Sequence, residues 1–293
     1  MEQGSNFKTR LIGAIIIALI GIGMFMMQTE KNPVTGEIQH VSISPEQEVR
    51  LGLESAPQMS RQMGGEIPSS DPRTMEVQRV GSKLVESSDA KDSPWKFQFH
   101  LLADPETVNA FALPGGQIFI TVGLYEKLQT EAQLAGVLGH EIGHVIERHS
   151  AQQMAKNQLG QSLIVAVAAG SDQQSQSLML AQVVNQMIQM RYGRKDESQS
   201  DIWGLKLMEK AGYDPRAMVE VMKVLKEASG GGRGIELFQS HPNPDLRIEQ
   251  INAYLKEHPP KPGLSEGESL KQTQGASKKS QGLFDDDFFK IFQ

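Results

Sequence analysis

The 293-residue chain has no cysteine. That excludes disulfides, a thiolate nucleophile, a cysteine-based zinc knuckle and an acylated lipoprotein cysteine, and leaves the redox compartment open. Positive charge is not in excess: Lys and Arg number 29 against 35 Asp and Glu, a formal net charge of −6, so nothing points to nucleic acid. The glycine-rich stretch 229–234 lacks the Gly-Lys-Ser/Thr and the preceding strand of a phosphate loop. Long apolar runs are scarce. Leu163–Ala169 is too short to span a bilayer, while Leu11–Met27, 17 uncharged residues, stands at the short end of what spans one.

Lys8 and Arg10 precede that run, and Glu30 and Lys31 follow it, so the positive-inside tendency puts residues 1–10 in the cytoplasm and the rest across the membrane. No small-x-small cleavage site follows Met24, which favours a retained anchor over a cleaved signal peptide. The expected organisation is a cytoplasmic N-terminus (1–10), a transmembrane signal anchor (11–27), a polar linker (28–42), a catalytic domain (43–258) and a disordered tail (259–293). With 39% hydrophobic and 22% charged residues, the middle of the chain is globular and long enough for a sizeable core.

What is present is concentrated between Leu134 and His149. His140, Glu141 and His144 spell H-E-x-x-H, with Leu134, Val137, Leu138, Ile142 and Val145 at helical spacing. On a helix the two histidines share a face and can address one ion, and Glu141 sits where a carboxylate could take a proton from water on that ion. The bland alternative is an amphipathic helix with two surface histidines. Gly139 and Gly143 argue against it, because glycine costs roughly 1 kcal/mol in a helix and two of them imply a close neighbour.

Around this helix, Ser44-Pro45 and Asp71-Pro72 open two scaffold helices, the first stopping at Gly64-Gly65. Trp95–Leu102, Val108–Leu113 and Gln117–Val122 read as strands, with Pro114-Gly115-Gly116 as the turn of a hairpin. Asn109, Ala110 and Phe111, with Ile118, Phe119 and Ile120, could bind an extended peptide along a strand edge; equally, these strands could only pack on the helix. Ser171–Gln189 is either a lid or an ordinary helix. Glu197 and Asp201, four residues apart, offer a third ligand and a carboxylate to hold a ligand imidazole, or are simply a solvated acid pair. His241, before Pro242, is held off any helix, and Arg247 opens the last one. The end, Leu283–Phe292, mixes aromatics with acids like a docking peptide for a partner or for the chain's own cleft.

Asn109-Ala-Phe-Ala-x-Pro-Gly-Gly, Gly139-His-Glu-Ile-Gly-His, Glu197-x-x-x-Asp201 and Ser240-His-Pro-x-Pro-x-x-Arg-Ile occur in this order. Together they resemble the gluzincin metallopeptidases of the CAAX prenyl protease and HtpX type, especially their periplasmic BepA/LoiP-like branch, over roughly residues 43–255. The resemblance implies a mainly α fold with a small β-sheet (α+β, zincin-like) and one Zn2+ per chain held by His140, His144 and Glu197. It implies Glu141 as general base, Asp201 behind a ligand, His241 close to the metal as gate or transition-state partner, and Arg247 supporting that loop or the oxyanion. Members of the branch carry a helical-repeat domain after the catalytic one; no such repeat follows here, so a chaperone role tied to it is not carried over.

The expectation is therefore a membrane-anchored zinc metalloendopeptidase on the periplasmic side of the inner membrane, acting on unfolded or misassembled envelope polypeptides. The competing expectation is a non-proteolytic, membrane-tethered binding or chaperone module with a structural or latent metal site.

Overall fold

A computed structural model describes residues 3–167, 192–229, 240–242 and 244–271. A long N-terminal helix, α1 (Gln3–Met27), leads into a two-stranded antiparallel hairpin, β1 (Thr29–Lys31) and β2 (Ile38–His40). Two scaffold helices follow, α2 (Pro45–Gln62) and α3 (Pro72–Glu86). Next come β3 (Gln98–Leu102), β4 (Ala110–Ala112), β5 (Gln117–Thr121) and the short α4 (Val122–Tyr125). The rest is helical: α5 (Glu131–Ile146), α6 (His149–Val167), α7 (Arg194–Lys210), α8 (Ala217–Ser229) and α9 (Pro244–Glu257). The α+β class expected from the sequence is the class observed.

Local chemistry explains the helix starts. Ser44 and Gln47 form a reciprocal capping box with Pro45 in the first turn, and Asp71 accepts from the Arg73 amide ahead of Pro72. The α2 helix ends at Met63, where Gly64 and Gly65 take φ of 86° and 89°. The Pro114-Gly115-Gly116 turn needs its glycine for two reasons. Gly115 has φ of 79°, and a Cβ there would lie 2.4 Å from the Val49 Cα.

The sheet runs β3-β5-β4, with β3 parallel and β4 antiparallel to β5. The hairpin expectation holds, but β5 is the central strand. Ile118, Phe119 and Ile120 are fully buried and flanked on both sides, so the peptide-binding edge expected there does not exist. Residues 65–67 hydrogen-bond along the outer side of β3. Among the described residues, the open edge of this sheet is β4, carrying Ala110 and Phe111 just after Asn109.

Helix α5 lies at the centre of the molecule, and every one of its residues is buried. The burial that the apolar spacing implies for this helix is observed, and it extends to every face. Leu134, Leu138 and Ile142 join Val77, Leu84, Ile118, Ile120, Leu205, Met208 and Met218 in one core, each large aliphatic contributing about 1.5–3 kcal/mol by burial.

Two other expectations change. The stretch 28–42, read as a polar linker, is the folded β1–β2 hairpin. The tail is ordered through its first residues: Ser265 pairs with Tyr213, Ser269 bridges Thr130, and Leu270 is buried in the core. Over the described side chains alone, no helix is long and apolar enough to cross a membrane. The Ser171–Gln189 segment and the aromatic-acidic end lie outside the described residues.

Candidate active site

Helix α5 is fastened at both ends. Thr130 caps its start by accepting from the Gln133 amide, and the amides of Glu131 and Ala132 donate to the carbonyls of Glu268 and Glu266 in the strap that precedes Leu270. At the other end, Asn32 Nδ2 donates to the Ile146 carbonyl at 2.7 Å and Gln39 Nε2 to the Glu147 carbonyl at 3.0 Å. Both donors come from the β1–β2 hairpin region.

The neighbour demanded by Gly139 and Gly143 is α7. A Cβ on Gly139 would stand 3.2 Å from the Gly204 Cα, and one on Gly143 2.9 Å from the Ser200 Cα. This close crossing brings Glu197 and Asp201 over the two histidines. His140 Nε2 and His144 Nε2 are 3.0 Å apart, and the Glu197 carboxylate oxygens lie 3.5 and 3.6 Å from them. Ligand atoms at about 2.1 Å from a tetrahedral zinc are about 3.4 Å from one another, so the three donors have the spacing such an ion requires. His241 joins them, with Nδ1 3.3 Å from His140 Nε2 and 3.0 Å from Glu197 Oε1. The four offer ligand atoms within 4.8 Å of one another. Glu141 Oε2, Glu197 Oε2 and His241 Nε2 are buried without a hydrogen-bond partner, as expected of a centre built for something further. The residues fit a zinc ion.

The opposite faces of the ligand rings are also held. His140 Nδ1 is 2.9 Å from Asp201 Oδ1. Arg247 lies behind this pair: Nε and Nη2 donate to Asp201 at 2.9 and 2.6 Å, and Nη1 stands 2.8 Å from Glu197 Oε2 without hydrogen-bond alignment. Its guanidinium thus lies against two carboxylates, hydrogen-bonded to Asp201 and at ion-pair distance from Glu197.

Two contributors escaped the sequence reading. His149 Nδ1 is 2.9 Å from His144 Nδ1, with its Nε2 3.4 Å from Gln199 Oε1. Tyr192 lays its ring 4.0 Å from that of His144 and bonds Ser150 through its hydroxyl. His149 stands five residues after His144, off the helical face. It returns only because Arg148 adopts a left-handed φ of 57°. A histidine just beyond a helix end was the available signal.

Electrostatics set the protonation states. Burial, with His140, His149 and His241 nearby, holds His144 well below the usual imidazole range, so the ring is neutral as a ligand must be. Burial pushes the Glu141 carboxyl up. Burial would also raise Asp201, but the Arg247 guanidinium overrides it and holds that carboxyl at about 2.

Of the residues singled out from sequence, the structure gathers His140, Glu141, His144, Glu197, Asp201, His241 and Arg247 into one buried cluster. Asn109, Ala110 and Phe111 lie at the sheet edge, and Ile118, Phe119 and Ile120 lie inside it.

Known proteins agree with this picture. The model of peptidase family M48 matches residues 71–255. The mitochondrial metalloendopeptidase OMA1 of Schizosaccharomyces pombe is 29% identical over 249 residues, covering 84% of this chain and 72% of its own. The beta-barrel assembly-enhancing protease of Escherichia coli is 30% identical over 254 residues, covering 83% of this chain and 50% of its own. The chain thus spans about half the length of that second relative. With the family's match running from α3 into α9 and across every donor of the cluster, the chain belongs to peptidase family M48, a family of zinc metallopeptidases.

Proposed function

We propose that this chain is a membrane-anchored zinc metalloendopeptidase that cleaves unfolded or misassembled envelope polypeptides. The observation that carries the proposal is the convergence of His140, His144 and Glu197 with His241, whose Nε2 stands 3.7 Å from Glu141 Oε1. In this reading His140, His144 and Glu197 hold one zinc ion per chain. When bound, zinc polarises a carbonyl and brings the pKa of a water toward about 7.

The chain's own residues do the remainder. Glu141, enclosed and with a raised pKa, takes a proton from the attacking water and returns it to the departing amine. Asp201 and His149 keep the ligand imidazoles in the tautomers that turn Nε2 inward, and Arg247 holds Asp201 and Glu197 in place. A substrate strand adds to the free edge of β4 beside Asn109–Ala112, held by main-chain hydrogen bonds, which favours extended or unfolded segments.

Support for the anchor comes from α1. At about 1.5 Å per residue its 25 residues extend about 37 Å. Ile12, Ile15, Ile16, Leu19, Ile20, Met24 and Met26 are exposed around it, an arrangement suited to lipid. The names of the two relatives, one mitochondrial and one concerned with β-barrel assembly, fit a membrane-associated envelope role. Docking of the aromatic-acidic C-terminal end on a partner or on this cleft belongs to the same reading, and deleting residues after Gly282 tests it.

His241 favours a second reading. It stands among the donors where a fourth ligand would close the site, as in a structural or latent centre. Casein digestion with and without chelator, on the wild type and on Glu141→Gln, separates the two. The peptidase reading expects Glu141→Gln to keep zinc and lose turnover by about 100-fold or more. A structural metal expects chelation to unfold the protein, with no proteolysis beforehand.

A further inference from the structure

The two imidazoles of the motif helix are not held alike. His140 Nδ1 meets the Asp201 carboxylate at 2.9 Å, and that carboxylate is hydrogen-bonded in turn by Arg247. His144 Nδ1 meets only another imidazole, that of His149, also at 2.9 Å. A hydrogen bond to an ionised partner is the stronger kind, so His144 is the less firmly held of the two. The torsion about its Cβ–Cγ bond lies in a broad well, and a turn there swings Nε2 away from the point that the donors share.

Tyr192 supplies what His144 lacks. Its ring centroid lies 4.0 Å from that of His144, with the two planes 31° apart. The rings of His140, His149 and His241 stand 4.7, 4.9 and 5.1 Å from the same imidazole and all meet it edge-on. Among the described residues, Tyr192 is thus the ring that lies across its face. Tyr192 has little freedom of its own. It is buried, its hydroxyl stands 3.0 Å from Ser150 Oγ on α6, and its amide donates to the Ser240 carbonyl at 3.1 Å. It also precedes α7 by two residues, so the approach to the helix that carries Glu197 delivers this ring as well.

We propose that Tyr192 is a positioning residue of the metal centre: its ring, lying across the His144 imidazole, fixes the plane in which Nε2 faces the ion. The proposal rests on His144 being a ligand and adds a support from outside the donor set. The flat face carries the effect. The hydroxyl bonds Ser150 rather than any donor, and burial keeps it protonated by pushing its pKa up. A metal-bound imidazole shares the ion's charge, and the face of a phenol ring attracts positive charge.

The test combines zinc affinity, by chelator competition, with the visible absorption of the cobalt-substituted full chain in detergent, which reports ligand geometry around the ion. Tyr192→Phe keeps the ring and should bind zinc within about 2-fold of wild type, with an unchanged cobalt spectrum. Tyr192→Leu keeps apolar bulk without the flat face. Its zinc affinity should fall by about 10-fold or more, and its cobalt bands should shift. Should Tyr192→Leu fail to fold, Tyr192→Met takes its place. Wild-type affinity and spectrum in the aliphatic variant overturn the proposal. So does a Tyr192→Phe protein weakened as much as Tyr192→Leu, because the effect then belongs to the hydroxyl. Lower stability in urea with an unshifted cobalt spectrum means packing alone and overturns it too. Equal zinc affinity in wild type and His144→Ala overturns the ligand assignment beneath it, whatever stands at position 192.

Discussion

His140, Glu141 and His144 are readable in the sequence because a helix turns i and i+4 to one side, and the apolar spacing around them announces the helix. His149 is not readable that way. Its contact with His144 depends on one left-handed residue, Arg148, whose guanidinium bonds Glu48 at 2.7 Å, Glu30 at 2.9 Å and the Ile43 carbonyl at 2.8 Å. Those partners lie about a hundred residues earlier, and no local pattern couples them to the motif. His149→Ala should weaken zinc binding by about 10-fold to 100-fold in a chelator competition, with partial rescue in His149→Asn; equal affinity in all three proteins would remove His149 from the site. Arg148→Ala leaves Glu48 buried without its cation, and urea unfolding should show a loss of about 3–5 kcal/mol.

At the scale of elements, the helices announced by caps and periodicity stand where expected, because caps and apolar spacing are local. The strap over residues 265–270 was hidden by its composition. It holds on through backbone hydrogen bonds to the first turn of α5 and one anchor, Leu270, and such bonds need no hydrophobic pattern. The same logic hid the strand order, since a run such as Ile118–Thr121 does not say whether it is central or at an edge. Glu131 ties the strap end of α5 to Arg79 and to the Tyr213 hydroxyl. Burial would raise this carboxyl, but those hydrogen bonds override it and hold it below its ordinary 4.5. A depressed carboxyl contributes stability above its unfolded pKa and loses it as pH falls through the folded one. Glu131→Gln should therefore lower Tm by roughly 2–4 °C at pH 7, about 1 kcal/mol, and cease to differ from wild type in strong acid. An equal difference at both pH values would contradict this. Packing of α5 on α7 is tested by Gly143→Val, whose side chain meets the Ser200 backbone. It should cost about 1–3 kcal/mol and reduce zinc affinity as α7 carries Glu197 away.

For the molecule as a whole, the folded hairpin alters the picture of a domain on a loose tether. The residues that follow α1 close the C-terminal end of the motif helix through Asn32, Gln39 and Glu30, so α1 and the site are joined without slack. The run Leu11–Met27 was legible as apolar, and the coupling was not, because it rests on buried amides in a stretch whose polarity resembles a linker. The full chain should float with phosphatidylcholine–phosphatidylglycerol vesicles in a density gradient, while a chain lacking residues 1–27 stays in the aqueous fractions. Equal distribution of the two would contradict an anchor in α1.

The central claim is that donors from α5 and α7 surround one divalent cation, with Glu141 beside it. Anomalous scattering from crystals of the zinc-loaded chain, recorded at the zinc edge, tests this most directly. The account predicts one peak at about 2.0–2.2 Å from His140 Nε2, His144 Nε2 and a Glu197 carboxylate oxygen. A peak elsewhere, or a Glu197 carboxylate turned out of reach of the ion, would contradict it.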